Sequence, residues 1–300
     1  MSPGVWTLLA TSLSISFTAC VIDHAEETSR KHFLFQAPSR PLVEVRLDAG
    51  SITVRGAAGR EIEVAVTKRA RGPTQQRAID LLEQISVQAY QQGSKITVEA
   101  FQRSWGPIHP ISFSIGRRRA RSEVEIRLPH EADLDLFTRE GRIEIEQVEG
   151  EMEVETEDGR LRLRDVKGVV RGRSADGSIA GSGLEGDFDV TTADGHIELE
   201  GRFHAIRAVT GDGHVVISCE EPLPLTRDWI IRSSDGPIRL ELPLGLSAEL
   251  EASVTDGRIV NDIDFLDEEA SPRFVKGRLG KGGKLILLRA CDGGVTLRSR

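Results

Sequence analysis

From Val124 onward, apolar and polar residues alternate in short bursts, and the bursts repeat. Glycines fall at Gly141, Gly159, Gly177, Gly195 and Gly213, each 18 residues after the last. An acidic residue precedes each: Glu140, Asp158, Asp176, Asp194 and Asp212. Two residues beyond each glycine stands Ile143, Leu161, Ile179, Ile197 or Val215. Met152, Val170, Phe188 and Ile206 keep the same register, as do the hydroxyls of Thr156, Ser174, Thr192 and Thr210. Gly150, Gly168 and Gly186 mark a second turn in each unit. Self-similarity at a fixed period is the signature of a repeat architecture. Within a unit the apolar residues recur at every second position, which is strand periodicity. One unit cannot bury its own inward row, but stacking at the ~4.8 Å strand spacing buries all rows together. The predicted fold is all-β: a parallel β-solenoid, or β-helix, with 18-residue two-strand rungs.

The flanks carry the same chemistry more loosely. Val43, Val45 and Leu47 alternate with polar residues, Ile52 and Val54 follow Gly50, and Glu61 to Val66 is a third alternating stretch. Pro73-Thr74 opens a single short helix over 74–84, with Ala78, Leu82 and Ile85 at helical spacing and Thr74 as its cap. A hairpin follows, turning at Gln91-Gln92-Gly93-Ser94. Residues 102–121 read as a loop or a mobile hairpin holding Trp105 and Arg117-Arg118-Arg119. After Gly213 the Asp-Gly steps recur at Gly236, Gly257 and Gly293, and Gly294 to Leu297 is expected to close the stack. The solenoid domain is thus placed at 42–300: an irregular part at 42–123, regular rungs at 124–218 and looser rungs at 219–300.

The turns have a mechanical reading. Asp158-Gly159, Asp176-Gly177, Asp194-Gly195 and Asp212-Gly213 are taken as structural corners, with glycine at positive φ and aspartate bonding the backbone just after it. Stacked carboxylates ~5 Å apart repel by roughly 1 kcal/mol in water, which nearby arginines would offset.

The N-terminus changes the picture of location. Val5 to Ala19 is apolar or hydroxylic and free of charge. It reads as a signal peptide over residues 1–19. Phe17-Thr18-Ala19-Cys20 resembles a bacterial lipobox, which implies lipid attachment at Cys20; the alternative is a plain signal cut near Ala19 that leaves Cys20 a free thiol. Residues 20–41 then form a tether. Of the three cysteines, a lipid on Cys20 leaves Cys219 and Cys291 as a possible disulfide or as two buried thiols. The net charge of -8 argues against general nucleic-acid binding.

Candidate chemistry is sparse. Carboxylates of adjacent Asp-Gly corners could hold Ca²⁺, but the Gly-Gly-x-Gly-x-Asp run of β-rolls is missing, and a turn-supporting role is preferred. His196 and His214, one period apart, should stack; equivalent positions hold Arg142, Arg160 and Ser178, so no metal site is assigned. No cofactor is expected. The hydroxyl series is read as structural. No Ser-His-Asp order, phosphate loop, CxxC pair or HExxH run appears.

The run Val124-Glu125-Ile126-Arg127-Leu128-Pro129, then Ala132-Asp133-Leu134-Asp135-Leu136, then the repeated Asp-Gly-x-(Ile/Leu) units, resembles the DUF4097 family over about 42–300. The resemblance implies a bacterial, exported or membrane-attached solenoid and brings no catalytic motif. The leading expectation is a non-enzymatic cell-envelope protein, held to the membrane by Cys20, that presents a surface to an envelope protein or to its own kind. The alternative is a β-helix that binds or cleaves polysaccharide, against which stands the shortage of aromatic platforms: Trp105, Trp229 and Tyr90 are all that remain beside the phenylalanines after the signal. Specific binding is expected in the irregular parts rather than along the uniform rungs.

Overall fold

The computed structural model describes residues 25–102 and 120–300. In chain order they begin with β1 (Ala25–Gln36), β2 (Leu42–Ala57), β3 (Glu61–Gly72), α1 (Gln75–Glu83), β4 (Ile85–Gln92) and β5 (Lys95–Gln102). The repeat region holds β6 (Ala120–Pro129), β7 (Asp133–Glu140), β8 (Ile143–Glu146), β9 (Glu149–Thr156), β10 (Leu161–Arg164), β11 (Lys167–Ser174), β12 (Ile179–Thr192), β13 (Ile197–Thr210) and β14 (Val215–Cys219). The remainder is β15 (Trp229–Ser233), β16 (Ile238–Leu242), β17 (Ala248–Val254), β18 (Ile259–Asn261), β19 (Leu266–Ser271), β20 (Phe274–Leu279), β21 (Leu285–Ala290) and β22 (Val295–Ser299). The fold is all-β with one helix among the described residues, a β-solenoid-like repeat.

Two ladders run side by side, joined by the corners. One proceeds β6, the second half of β2, β8, β10, the starts of β12 and β13, β14, β16, β22, β18, all parallel. The other proceeds β5, the first half of β2, β7, β9, β11, the ends of β12 and β13, β15, β21, β17, also parallel. Through the repeat, partners lie one period apart: Leu161 pairs with Ile143 and Ile179, and Val170 with Met152 and Phe188. Ile143, Leu161, Ile179, Ile197 and Val215 on one side and Met152, Val170, Phe188 and Ile206 on the other point inward and are buried. Phe188, Phe203 and Trp229 stack edge to face inside, with centroids 5.6 and 6.1 Å apart.

Chain order and layer order differ at both ends. Strand β2 lies between β5/β6 and β7/β8. The C-terminal pair β21–β22 is likewise inserted, between β15/β16 and β17/β18. Gly294 to Leu297 therefore does not close the stack. The closing elements are antiparallel: β3 and β1 beyond β6, β4 beyond β5, and β20 and β19 beyond β17. The tether expected at 20–41 also needs correction. Residues 25–36 form β1, whose Phe33 and Phe35 pack on the core. Helix α1 begins where expected: the Thr74 side chain accepts the Arg77 N–H. Its last turn is capped from outside by Lys68, whose ammonium donates to the carbonyls of Leu82 (2.9 Å) and Ile85 (3.2 Å).

The corners work differently from the sequence expectation. Asp158, Asp176, Asp194 and Asp212 are exposed, and among the described residues their carboxylates bond nothing. At Gly177, Gly195, Gly213 and Gly236 the hydroxyl three residues before the glycine takes the expected role, whereas Thr156 Oγ1, before Gly159, is buried with no partner among the described residues. Gly195 donates its N–H to Thr192 Oγ1 (3.2 Å), which donates in turn to the Gly177 carbonyl one layer below (2.9 Å). Ser174, Thr210 and Ser233 repeat the arrangement. Glycine is required by contact rather than by φ. A Cβ on Gly177 would sit 1.5 Å from the Gly159 carbonyl oxygen, and one on Gly195 2.0 Å from that of Gly177. Left-handed backbone occurs instead at the opposite corner, at Gln147, Asp165 and Gly183, also one period apart.

Two substitutions separate these roles. Gly177→Ala should lower unfolding stability by at least ~2 kcal/mol, because backbone must move to admit the methyl. Asp176→Ala should change it by less than about 0.5 kcal/mol, as for an exposed residue without partners. Urea denaturation of the two variants measures both.

Candidate contact surface

The outward residues of the short-strand ladder form two columns of alternating charge. Arg55 and Arg164 both reach Glu146 (2.9 and 3.2 Å), and Arg142 and Arg162 both reach Glu144 (3.3 and 3.8 Å). Such exposed pairs contribute little each, but they order the side chains flat along the sheet. The pattern breaks in the next layer, where β12 carries Ala180 and Ser182. Small side chains there leave a trough of about 360 Å3, with Arg162 and Arg164 on one lip and Glu198 and Glu200 on the other. The lips are two layers apart, or ~10 Å. Val216 and Ser218 keep the floor low beyond the glutamates, and the surface continues into a second cavity of about 490 Å3 beside Glu241, Arg298 and Arg300.

The backbone explains why this layer is low. Gly181 occupies an inward position, and its missing side chain is replaced by Leu184, whose Cδ1 would meet a Cβ there at 2.8 Å. The chain reaches Leu184 through a register irregularity between β12 and β13. The trough is thus built into the repeat itself, whereas the sequence pointed to the irregular parts. Its signal was present: Ala180 and Ser182 are the one layer from β8 to β13 without charge at these two positions.

A different surface lies at the corner after β14 and β16. Pro222, Leu223, Leu225, Leu244 and Leu246, with Glu221 and Ser247, line a cavity of about 570 Å3, and Leu244 is 73% exposed.

The remaining sequence candidates divide clearly. Cys20, Trp105 and Arg117 to Arg119 lie outside the described residues. Cys219 and Cys291 are not bonded: Cys219 is buried at the end of β14 and Cys291 is exposed in a turn. Burial pushes the Cys219 thiol well above its ordinary range, with the Glu241 carboxylate adding to the shift. His196 and His214 stack, centroids 3.9 Å apart, and His196 Nδ1 accepts the His214 backbone N–H (3.3 Å). That nitrogen is occupied, and His214 Nε2 faces Glu198 (2.9 Å). The pair does not line the trough and meets it only through Glu198. Trp229 is fully buried and offers no sugar platform. Among the described residues no helix is long and apolar enough to cross a membrane.

These features define a layered, solenoid-like β protein with an open, charged face. The chain belongs to the DUF4097 family: the family model described as Toastrack DUF4097 matches residues 43–298. Solved structures similar to it include a "putative adhesin" from Bacteroides fragilis, 11% identical over 90% of this chain and 97% of that one, with a TM-score of 0.41. A "putative lipid binding protein" from Parabacteroides distasonis is 10% identical over 89% and 96%, with a TM-score of 0.43. A "putative cell adhesion protein" from Clostridium sporogenes is 10% identical over 90% and 100%, with a TM-score of 0.29. No curated protein matches the chain.

The thiol arrangement has a direct readout. In the native protein Cys291 should react with a maleimide and Cys219 should not, and Cys219 should become reactive only on unfolding. Peptide mass mapping after labelling distinguishes the two.

Proposed function

We infer that this is an exported, non-enzymatic envelope protein, tethered by lipid at Cys20, whose solenoid of 18-residue, two-strand turns presents one face to another envelope protein. The carrying observation is the trough over Ala180 and Ser182 between a basic and an acidic lip. A rigid sheet places these four charges at fixed spacing, so a partner segment meets a preorganised pattern rather than a flexible loop. The complementary segment is extended, with a carboxylate toward Arg162 and Arg164 and a cation ~10 Å away toward Glu198 and Glu200. The small floor residues admit main chain close to the sheet. Adhesion to a surface is the broader version of the same reading. The apolar signal-like stretch before Cys20 supports export, and the lipobox-like sequence supports anchoring.

Two experiments test this reading. A photoreactive residue at position 182 in the full chain should crosslink to a discrete partner in cells, and the same residue at the exposed position 171 on the other ladder should not. Equal labelling from both positions, or none from 182, would contradict the assignment of the trough. Separately, Cys20→Ala should move the chain from the membrane fraction to the soluble fraction and abolish incorporation of radiolabelled palmitate. Unchanged fractionation with no label in the parent protein would remove the lipid anchor from the account.

A further inference from the structure

Among the described residues four strands end the two ladders, and they are not guarded alike. Exposed edges invite pairing, and folded proteins blunt them with bulges, shortness or charge. β18 has three residues. β19 is irregular in register, with Asp267 in left-handed backbone and Glu268 and Glu269 beside it. β4 has eight residues without a charge. β4 is also unbroken against β5, and β1 is the longest of the four: twelve residues paired to β3 without a break in register, with no proline, no glycine and no bulge.

The charges of β1 are arranged about its middle. Glu26 and Glu27 precede Ser29, and Arg30, Lys31 and His32 follow it. Arg30 is held by Glu125 (3.0 Å) and Glu26 by Arg71 (2.9 Å). Lys31 has no anionic partner among the described residues, and its charge acts against that of Lys68 nearby. Glu27 accepts only from Gln75 (3.0 Å). A lysine on the inward side of an edge strand is one way to discourage pairing. Here Glu27 stands on the same side, four residues earlier, so a partner strand that supplies a glutamate opposite Lys31 would remove the obstacle.

We propose that two copies of this chain pair through β1, antiparallel about a twofold axis at Ser29, so that Glu27 of each copy faces Lys31 of the other. A twofold perpendicular to the sheet keeps each residue on its own face, so only residues of equal parity can be opposite. The register centred on Ser29 meets this condition. It sets Glu27 against Lys31 twice and Glu26 against His32 twice, and it covers Ala25 to Phe33. Helix α1 lies over β1 and β3, and the same axis places it beside its copy at about 10 Å, a normal helix packing distance. The pairing does not depend on the reading of the trough, which lies on a different part of the surface.

The register makes a sharp test, because Ser29 would face its own copy. In the full-length chain with Cys291→Ser, Ser29→Cys should give a disulfide-linked dimer in membranes after mild oxidation. Arg171→Cys, on an outward column of the repeat, should give at least fivefold less. Adding Lys31→Glu should cut the Ser29→Cys dimer at least fivefold, and adding Glu27→Lys with Lys31→Glu should restore it. Restoration separates lost pairing from lost folding. A Ser29→Cys dimer no stronger than the control, or one indifferent to Lys31→Glu, would overturn the proposal.

Discussion

At each Asp-Gly corner one layer of backbone rests on the next with no side chain between them. The glycine of one layer meets the carbonyl of the glycine below, and at Gly177, Gly195, Gly213 and Gly236 a single Ser or Thr hydroxyl joins the two by accepting the upper N–H and donating to the lower carbonyl. This contact sets the layer spacing. A buried N–H or carbonyl left unpaired costs about 1–3 kcal/mol, so the hydroxyl is the member that makes close approach tolerable. Once the corners stack at that distance, the flanking strands must pair in parallel and in register, and the inward rows must coincide. The hydrophobic core then forms as a set of columns rather than as an irregular cluster.

The same constraint shapes the surface. Because every layer repeats the backbone of the one below, outward side chains also fall into columns, and a change of residue size in one layer becomes a trough. Charges on the lips of such a trough hold fixed distances without any dedicated loop. That is how a uniform repeat acquires a specific patch at Ala180 and Ser182.

Much of this was legible in the sequence. The period, the inward columns, the helix after Thr74 and the hairpin at Gly93 all follow from local spacing, because each depends on residues within one unit. What was not legible is nonlocal. The insertion of β2 and of β21–β22 between other layers joins residues far apart in the chain, and periodicity carries no information about layer order. β1 escaped notice because its inward side holds Glu27, Ser29 and Lys31 before the two phenylalanines, so its alternation is hidden until a partner strand is present. The division of labour at the corners was misassigned for a physical reason. Aspartate and hydroxyl are both good turn acceptors, and only the position relative to the layer below decides which one reaches buried backbone. The trough, too, depends on Leu184 filling the space above Gly181, which requires the register irregularity to be seen.

The account rests on the hydroxyl, and not the aspartate, holding the corner glycine. Native-state hydrogen exchange at the Gly195 amide tests this most directly. Thr192→Val keeps the shape of the side chain and removes its bonds to Gly195, Gly177 and Ala175, so protection of the Gly195 N–H should fall at least ~10-fold beyond any change in global stability. Asp194→Asn should leave it unchanged. Protection that survives Thr192→Val but falls in Asp194→Asn would contradict the account.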